Sequence, residues 1–153
     1  PGKGFKIIAG EHLALERVAV AASYVGNAQG AVDDALAYAQ QRVQFGKPIY
    51  EFQVIRHMLA DMQTQTDAAR LITYRAADLA ARGLPCRKEV AMAKLFASET
   101  LQNVSRQGMQ ILGGYSLTPD FPMERHYRDS RLMRIGGGAS EVMRNSIAKD
   151  LGL

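Results

Sequence analysis

Cysteine is nearly absent. Cys86 is the only one in 153 residues, so the chain can form no internal disulfide and no cysteine-rich metal site. Histidine is scarce too: His12, His57 and His126 stand far apart without ligand spacing, and no metal is expected. There is no Trp, and Pro occurs only five times. No apolar run approaches the ~20 residues that cross a bilayer, because Glu, Arg, Asp or Gln breaks every long one. No segment alternates apolar and polar residues for long enough to make a strand. The opening residues Pro1-Gly2-Lys3-Gly4-Phe5 include no initiator Met and no apolar signal core. They are expected to be a cut inside a longer chain, silent on targeting. Charge of one sign is not concentrated either. Nineteen Lys and Arg against 15 Asp and Glu give a net +4, spread along the whole chain. That spread argues against a nucleic-acid partner and suits an anionic small ligand.

What remains is a chain that is 47% hydrophobic and rich in Ala and Leu, of a size for one domain. Its apolar residues fall at helical spacing. A first helix is predicted over about residues 12–44, with Val18, Ala21, Ala22, Val25, Ala28, Val32, Leu36 and Ala39 on one broad face. Phe45-Gly46-Lys47-Pro48 ends it, with Gly past the last turn and Pro just after. A second is predicted over about residues 51–82, with Phe52, Ile55, Leu59, Met62, Thr66 and Ala69 facing inward. Gly83-Leu84-Pro85 repeats the stop. A third, over about residues 87–112, turns Val90, Ala93, Ala97, Leu101, Val104 and Ile111 inward and halts at Gly113-Gly114. An irregular stretch with a short helix leads to Arg134. A last helix opens near Ala139-Ser140-Glu141 and runs towards Asp150.

The long helices, of roughly 25–33 residues, span about 40–50 Å at 1.5 Å per residue. Joined by tight turns, they make an all-α, antiparallel up-down four-helix bundle that fills residues 1–153 as a single domain. Ala19, Val20, Tyr24 and Ala31 lie off the main stripe of the first helix. Apolar residues on several sides call for partners, so a homo-oligomer, a tetramer, is expected.

Residues at the helix ends carry chemistry by type. Arg42 is a cation at a helix C-terminus, suited to the dipole there and to bidentate pairing with phosphate. Gly113-Gly114 serves as a helix cap or lets backbone approach a pyrophosphate. Gly136-Gly137-Gly138 before Ala139-Ser140-Glu141 has three readings: a flexible linker, an N-cap with Ser140 capping, or an anion site of free N–H groups. Glu16 is a carboxylate on the first helical turn, solvated on the plainest reading. Glu124, Arg125, Arg128 and Asp129 read as a surface charge network, and Cys86 as a bystander near a helix start.

Four segments, taken in order, say more. They are Leu15-Glu16-Arg17, Arg42-Val43-Gln44-Phe45-Gly46-Lys47-Pro48-Ile49, Gln110-Ile111-Leu112-Gly113-Gly114-Tyr115, and Arg128-Asp129-Ser130 leading to Ile135-Gly136-Gly137-Gly138-Ala139-Ser140-Glu141-Val142. Smaller echoes occur at Gln53, Leu59-Ala60-Asp61-Met62 and Ala91-Met92-Ala93-Lys94. Together they resemble the C-terminal helical domain of the acyl-CoA dehydrogenase family, along essentially the whole chain. The resemblance implies an FAD-dependent enzyme that α,β-desaturates an acyl-CoA: a carboxylate takes the α-proton, the flavin takes a hydride, and electrons pass to an electron-transferring flavoprotein. It implies an N-terminal helical domain and a middle β-domain outside this chain, a tetramer, and a bacterial cytoplasmic or mitochondrial matrix setting. Arg42 is implied to pair with FAD phosphates across a subunit interface, and Gln44, Phe45 and Gln53 to lie against the same cofactor. Gln110, Gly113 and Gly114 are implied to meet the FAD of the neighbouring subunit. The thioester and flavin edge belong at the glycine loop, with Ala139 and Glu141 on the cofactor and Gly136, Gly138 and Arg17 on the substrate or structuring the site.

The pattern departs at one position. Most members carry the catalytic base, a Glu, where Gly137 stands, and glycine takes no proton. The isovaleryl-CoA and long-chain branches, which this sequence resembles more closely, have glycine- or alanine-rich loops there and keep their Glu in a Leu-Glu-Arg motif of the first helix. Leu15-Glu16-Arg17 matches that motif. The resemblance therefore implies Glu16 as the base, with the Gly137 backbone N–H donating to the thioester oxygen as enolate charge develops. Two alternatives stay open: a flavin oxidase or monooxygenase of the same fold, and a bundle kept for oligomerisation or binding.

Overall fold

The computed structural model describes residues 2, 4 and 13–153. Helix α1, Leu13–Gln41, is followed by a small ribbon of β1, Val43–Gln44, and β2, Lys47–Pro48, and by a 3-10 turn, Ile49–Glu51. Helices α2, Gln53–Ala81, and α3, Arg87–Leu112, come next. A second 3-10 turn, Gly113–Leu117, leads to α4, Met123–Met133, and α5, Ser140–Asp150. The all-α expectation holds, with three long helices, the anticipated short helix α4, and α5. Helix α3 has the bounds its periodicity predicts. The expected start of the first helix at His12 lies outside the described residues. Its end comes at Gln41 rather than near Gln44, because Val43 and Gln44 leave the helix to pair with Pro48 and Lys47. The ribbon is an addition to the expected picture, since two-residue strands are too short to alternate.

Helix α3 touches every other helix and forms the centre of the fold. Its buried residues repeat every seven positions: Val90, Ala97, Val104 and Ile111 on one row, Lys94, Leu101 and Gly108 on the next. Helix α1 answers with Ala21, Ala28 and Ala35, and with Val25, Val32 and Ala39. A seven-residue repeat keeps a narrow seam facing its partner along the whole length. That seam explains a departure from the expected stripe: Ala35 is buried, while Leu36 is 41% exposed. It also buries Tyr24 and Ala31 inside this chain, so of the four residues read as facing partners only Ala19 and Val20 retain exposed surface.

Alanine dominates the seam, and small side chains let the two backbones come close. The threonines within the α2 stripe are satisfied locally. Thr66 donates to the Met62 carbonyl and Thr73 to the Ala69 carbonyl, each at 2.8 Å. Helix α4 docks on α3 where Gly108 leaves room for Met123, and its His126 Nε2 lies 3.3 Å from Asp34 on α1. A Cβ placed on Gly108 would meet the Met123 sulfur at 2.5 Å. Gly108→Val is expected to destabilise the fold by about 1–3 kcal/mol through overpacking. Adding Met123→Ala should remove part of that cost, so the double variant is less unstable than the sum of the singles. Urea unfolding measures all three, and strict additivity would show that the two sites are independent.

Candidate functional site

The residues singled out by sequence gather at two ends of the bundle. At the first end α1 and α3 both terminate, which points two negative helix-dipole ends at one cleft of about 730 Å³. Arg42, just past α1, supplies the opposing positive charge. Its guanidinium lies over the Tyr115 ring, 5.4 Å from the centroid. No ion pair among the described residues includes it. Tyr115, Tyr38 and Phe121 stack edgewise beneath, with centroids 5.7–6.2 Å apart. The ribbon closes the cleft from the side. Its two turn residues both have positive φ, 53° at Phe45 and 79° at Gly46, the geometry of a tight hairpin turn. Phe45 is 92% exposed and touches its own chain edge-on through Phe52, at 6.1 Å.

Gln44, Phe45, Gly113 and Gly114 line this cleft with Arg42, as the sequence leads one to expect. Gln53 does not: it opens α2 and is exposed outside the cleft. Gln110 is exposed on the other side of the Gly113-Gly114 turn, where it lines a separate shallow hollow with Arg106 and Leu117.

At the second end, the chain from α4 enters α5 through Gly136, Gly137 and Gly138. Two cations hold this loop from beneath. Arg17 Nε donates to the Gly137 carbonyl at 2.9 Å, and Lys94 Nζ to the Gly138 carbonyl at 2.6 Å. Burial lowers the Arg17 pKa, opposed by the Glu16 charge and reinforced by Arg87. Lys94 is 0% exposed. Its pKa is lowered, first by burial and then by the Arg17 and Arg134 charges, with Glu141 opposing. Arg134 reaches Gln102 at 2.9 Å and Glu99 at 3.3 Å, which anchors the end of α4 on α3.

Ser140 does not cap α5, contrary to one reading of the loop. Ala139 occupies the cap position, no side chain caps the helix, and Ser140 is its first residue. The Ser140 hydroxyl is buried without a partner among the described residues. The Ser140 N–H donates to the Arg134 carbonyl at 3.1 Å, and the Glu141 and Val142 N–H groups of the first turn are left for an outside acceptor.

Glu16 precedes Arg17 on α1 and is exposed. It shares a face with Val20 and Tyr24, one and two turns on. That face looks at the loop: a Cβ on Gly137 would lie 4.0 Å from Val20 Cγ2. Burial raises the Tyr24 pKa, and the Glu16 charge adds to the rise. Along α1 the two ends are far apart: the 25 positions from Arg17 to Arg42 amount to ~37 Å at the helical rise.

A sequence model of the acyl-CoA dehydrogenase C-terminal domain matches residues 2–152. The chain belongs to the acyl-CoA dehydrogenase family. It is 47% identical to the human mitochondrial short-chain specific acyl-CoA dehydrogenase over 99% of its own length and 36% of that protein. It is 45% identical to an acyl-CoA dehydrogenase of Bacillus subtilis over 98% of its length and 39% of that protein. The butyryl-CoA dehydrogenase structure from Megasphaera elsdenii superposes with a TM-score of 0.96 at 41% identity, over 99% of this chain and 39% of that one. The chain thus spans well under half the length of these relatives. Two of these names speak of a short chain or of butyryl-CoA, while the isovaleryl and long-chain likeness rests on the Leu15-Glu16-Arg17 motif and the loop from Ile135 to Val142.

Sequence reasoning passed over Lys94 beneath the loop and Tyr115 beneath Arg42, although both lie in the motifs named above. For Lys94 a signal existed: it sits seven residues before Leu101, on an otherwise apolar row. The tight fit of the loop gives a test. Gly137 has φ +67° with nothing closer than 3.9 Å to an added Cβ, whereas at Gly138, φ +113°, the Cβ would meet Met143 Cε at 2.7 Å and Arg17 Nη2 at 3.1 Å. Gly137→Ala should cost about 1–2 kcal/mol of backbone strain alone. Gly138→Ala should cost more, because strain and overlap add. Equal costs in a thermal-unfolding comparison would contradict the described packing.

Proposed function

We propose that this chain is the C-terminal helical domain of an FAD-dependent acyl-CoA dehydrogenase, and that Glu16 removes the substrate α-proton. The observation that carries the assignment is the shared face of Glu16, Val20 and Tyr24, which looks at the Gly137 loop from α1. A base on that face and donors on the loop can meet at one α-carbon. Glu16 is exposed in this chain. The dry surroundings that sharpen a general base therefore come from the bound thioester and from protein beyond this domain. Gly137 contributes its backbone N–H to the thioester oxygen as enolate charge develops, which no side-chain change removes. Arg17, between Glu16 and the loop, keeps the two in register through the Gly137 carbonyl, while Gly136 and Gly138 leave the substrate a side-chain-free approach.

The residues fit FAD. The cleft offers an arginine without a carboxylate among the described residues, an aromatic floor and two glycines. The α5 end offers uncapped N–H groups and the orphaned Ser140 hydroxyl. Arg42, Gln44, Phe45, Gly113 and Gly114 would hold one cofactor, and Ala139 and Glu141 another. The two ends are too distant along α1 to serve one ligand from one chain, which favours a tetramer with cofactors shared between subunits. FAD supplies the hydride acceptor when bound, and an electron-transferring flavoprotein then takes the electrons. The names of the relatives favour a short acyl-CoA, and the setting is the mitochondrial matrix or a bacterial cytoplasm.

Glu16→Gln in the full-length protein should slow flavin reduction by acyl-CoA at least ~10²-fold, the low end for a general base, with FAD retained. Near wild-type reduction would move the base to another carboxylate. Adding Gly137→Glu should restore part of the rate, since a Cβ at this position meets nothing closer than 3.9 Å. Arg42→Ala should weaken FAD retention by about 1.5–3 kcal/mol, the range for a hydrogen bond to a charged group. Unchanged flavin dissociation would remove Arg42 from the cofactor site.

A further inference from the structure

Lys94 is the largest fully buried side chain in the described structure. No ion pair among the described residues neutralises it. Its one hydrogen-bond partner is a neutral carbonyl, that of Gly138 at 2.6 Å. Among the described residues, Arg17 and Arg134 repel it and Glu141 on α5 attracts it. Burying a cation against a carbonyl between two other cations is an expensive way to fill a core position. On the same row, seven and fourteen residues on, Leu101 and Gly108 fill the core at no such cost. Packing alone does not account for a lysine here.

What the ammonium does is fix a peptide plane. The Gly138 carbonyl and the Ala139 N–H belong to one planar trans peptide and point in opposite directions. Arg17 fixes the preceding plane in the same way, through the Gly137 carbonyl at 2.9 Å, which orients the Gly138 N–H. With both carbonyls drawn to the buried side, these two N–H groups face away from it, towards the open end of α5. Neither donates to a backbone carbonyl. Glycine at both positions permits the required positive φ, 67° and 113°, but three successive glycines have no stiffness of their own. The order must be imposed from outside the loop.

We propose that Lys94 is a positioning residue. Its buried ammonium, acting with Arg17, holds the glycine loop so that the Gly137 N–H is kept in place for the developing negative charge of the thioester oxygen, and the outward Gly138 and Ala139 N–H groups are preset for an anionic group beside it. Lys94 touches neither substrate nor cofactor. This inference rests on the function proposed above and deepens it.

The test uses the full-length flavoprotein with butyryl-CoA as probe. Lys94→Met keeps the volume and removes the charge and the donor. It should keep FAD and the half-saturating butyryl-CoA concentration while the limiting rate of flavin reduction falls ~10–10²-fold, the effect of a misplacement near 1 Å. Propylammonium should restore part of the rate to Lys94→Ala, and Lys94→Arg should keep more activity than either. A readout independent of turnover is amide hydrogen exchange. Residues 136–140 should exchange faster in Lys94→Met, with the α1–α3 seam unchanged. Wild-type reduction rate in Lys94→Met, unchanged loop exchange, or a rate loss that only follows lost flavin with no amine rescue would each overturn the assignment. Wild-type protein that butyryl-CoA and longer acyl-CoAs fail to bleach would overturn the proposed function itself, and this inference with it.

Discussion

The seam between α1 and α3 is the constraint from which the rest follows. Ala21, Ala28, Ala35 and Ala39 on one helix and Ala93 and Ala97 on the other are all buried, and only side chains this small let two long helices lie together over so many turns. Both chemical ends of the domain are built from this pair. At one end Arg42 follows α1 and Gly113-Gly114 follows α3. At the other, Arg17 from α1 and Lys94 from α3 grip adjacent carbonyls of one loop. Helix α2 completes the core, and α4 and α5 brace α3 from outside. Arg134 and Arg144 both reach Glu99, so a single carboxylate on α3 ties down the exit of α4 and the body of α5.

Electrostatics distinguish the two ends. Helices α1 and α3 deliver their negative dipole ends to the cleft, where Arg42 is the counterweight and lies on an aromatic face rather than a carboxylate. The loop end has the opposite character. There the start of α5 brings unsatisfied donors, while Arg17, Lys94 and Arg134 crowd the interior with positive charge. Among the described residues, Glu16 acts on Arg17, Glu141 on Lys94 and Glu99 on Arg134. A negatively charged ligand finds a complementary field at each end, by different means.

Much of this was legible in the sequence, for physical reasons. Helix α3 could be bounded closely, because its inward positions recur at helical spacing and Gly83-Leu84-Pro85 and Gly113-Gly114 mark its limits. The gathering of Arg42, Gln44, Phe45 and the paired glycines was implied by the family resemblance that the motifs carry, which placed Gln53 and Gln110 there as well, outside the cleft in the structure. The ribbon at Val43–Pro48 was not legible, because a two-residue strand has no period. Leu36 was assigned to the core because 3.6-residue spacing drifts across a long helix, while the seam follows a repeat of seven. Ser140 read as a cap by type, but it lies one residue inside α5, where its hydroxyl is buried without a partner. Lys94 was passed over because lysine is nearly always exposed, and only the structure shows what makes this one an exception.

The length of α1 has a consequence for how this domain can change over time. Arg17 and Arg42 sit on one rigid rod, and each added or removed residue turns one end relative to the other by roughly 100° while shifting it by ~1.5 Å. A single-residue indel inside α1 therefore misdirects one end whenever the other is kept in place. Changes by about seven or eleven residues come within roughly 20° of the original phase, and those alter the span. The helix behaves as a gauge whose length is read in angle as well as distance. The turns between elements, such as Arg82–Cys86 and Thr118–Pro122, carry no such phase, so a change of length costs least there.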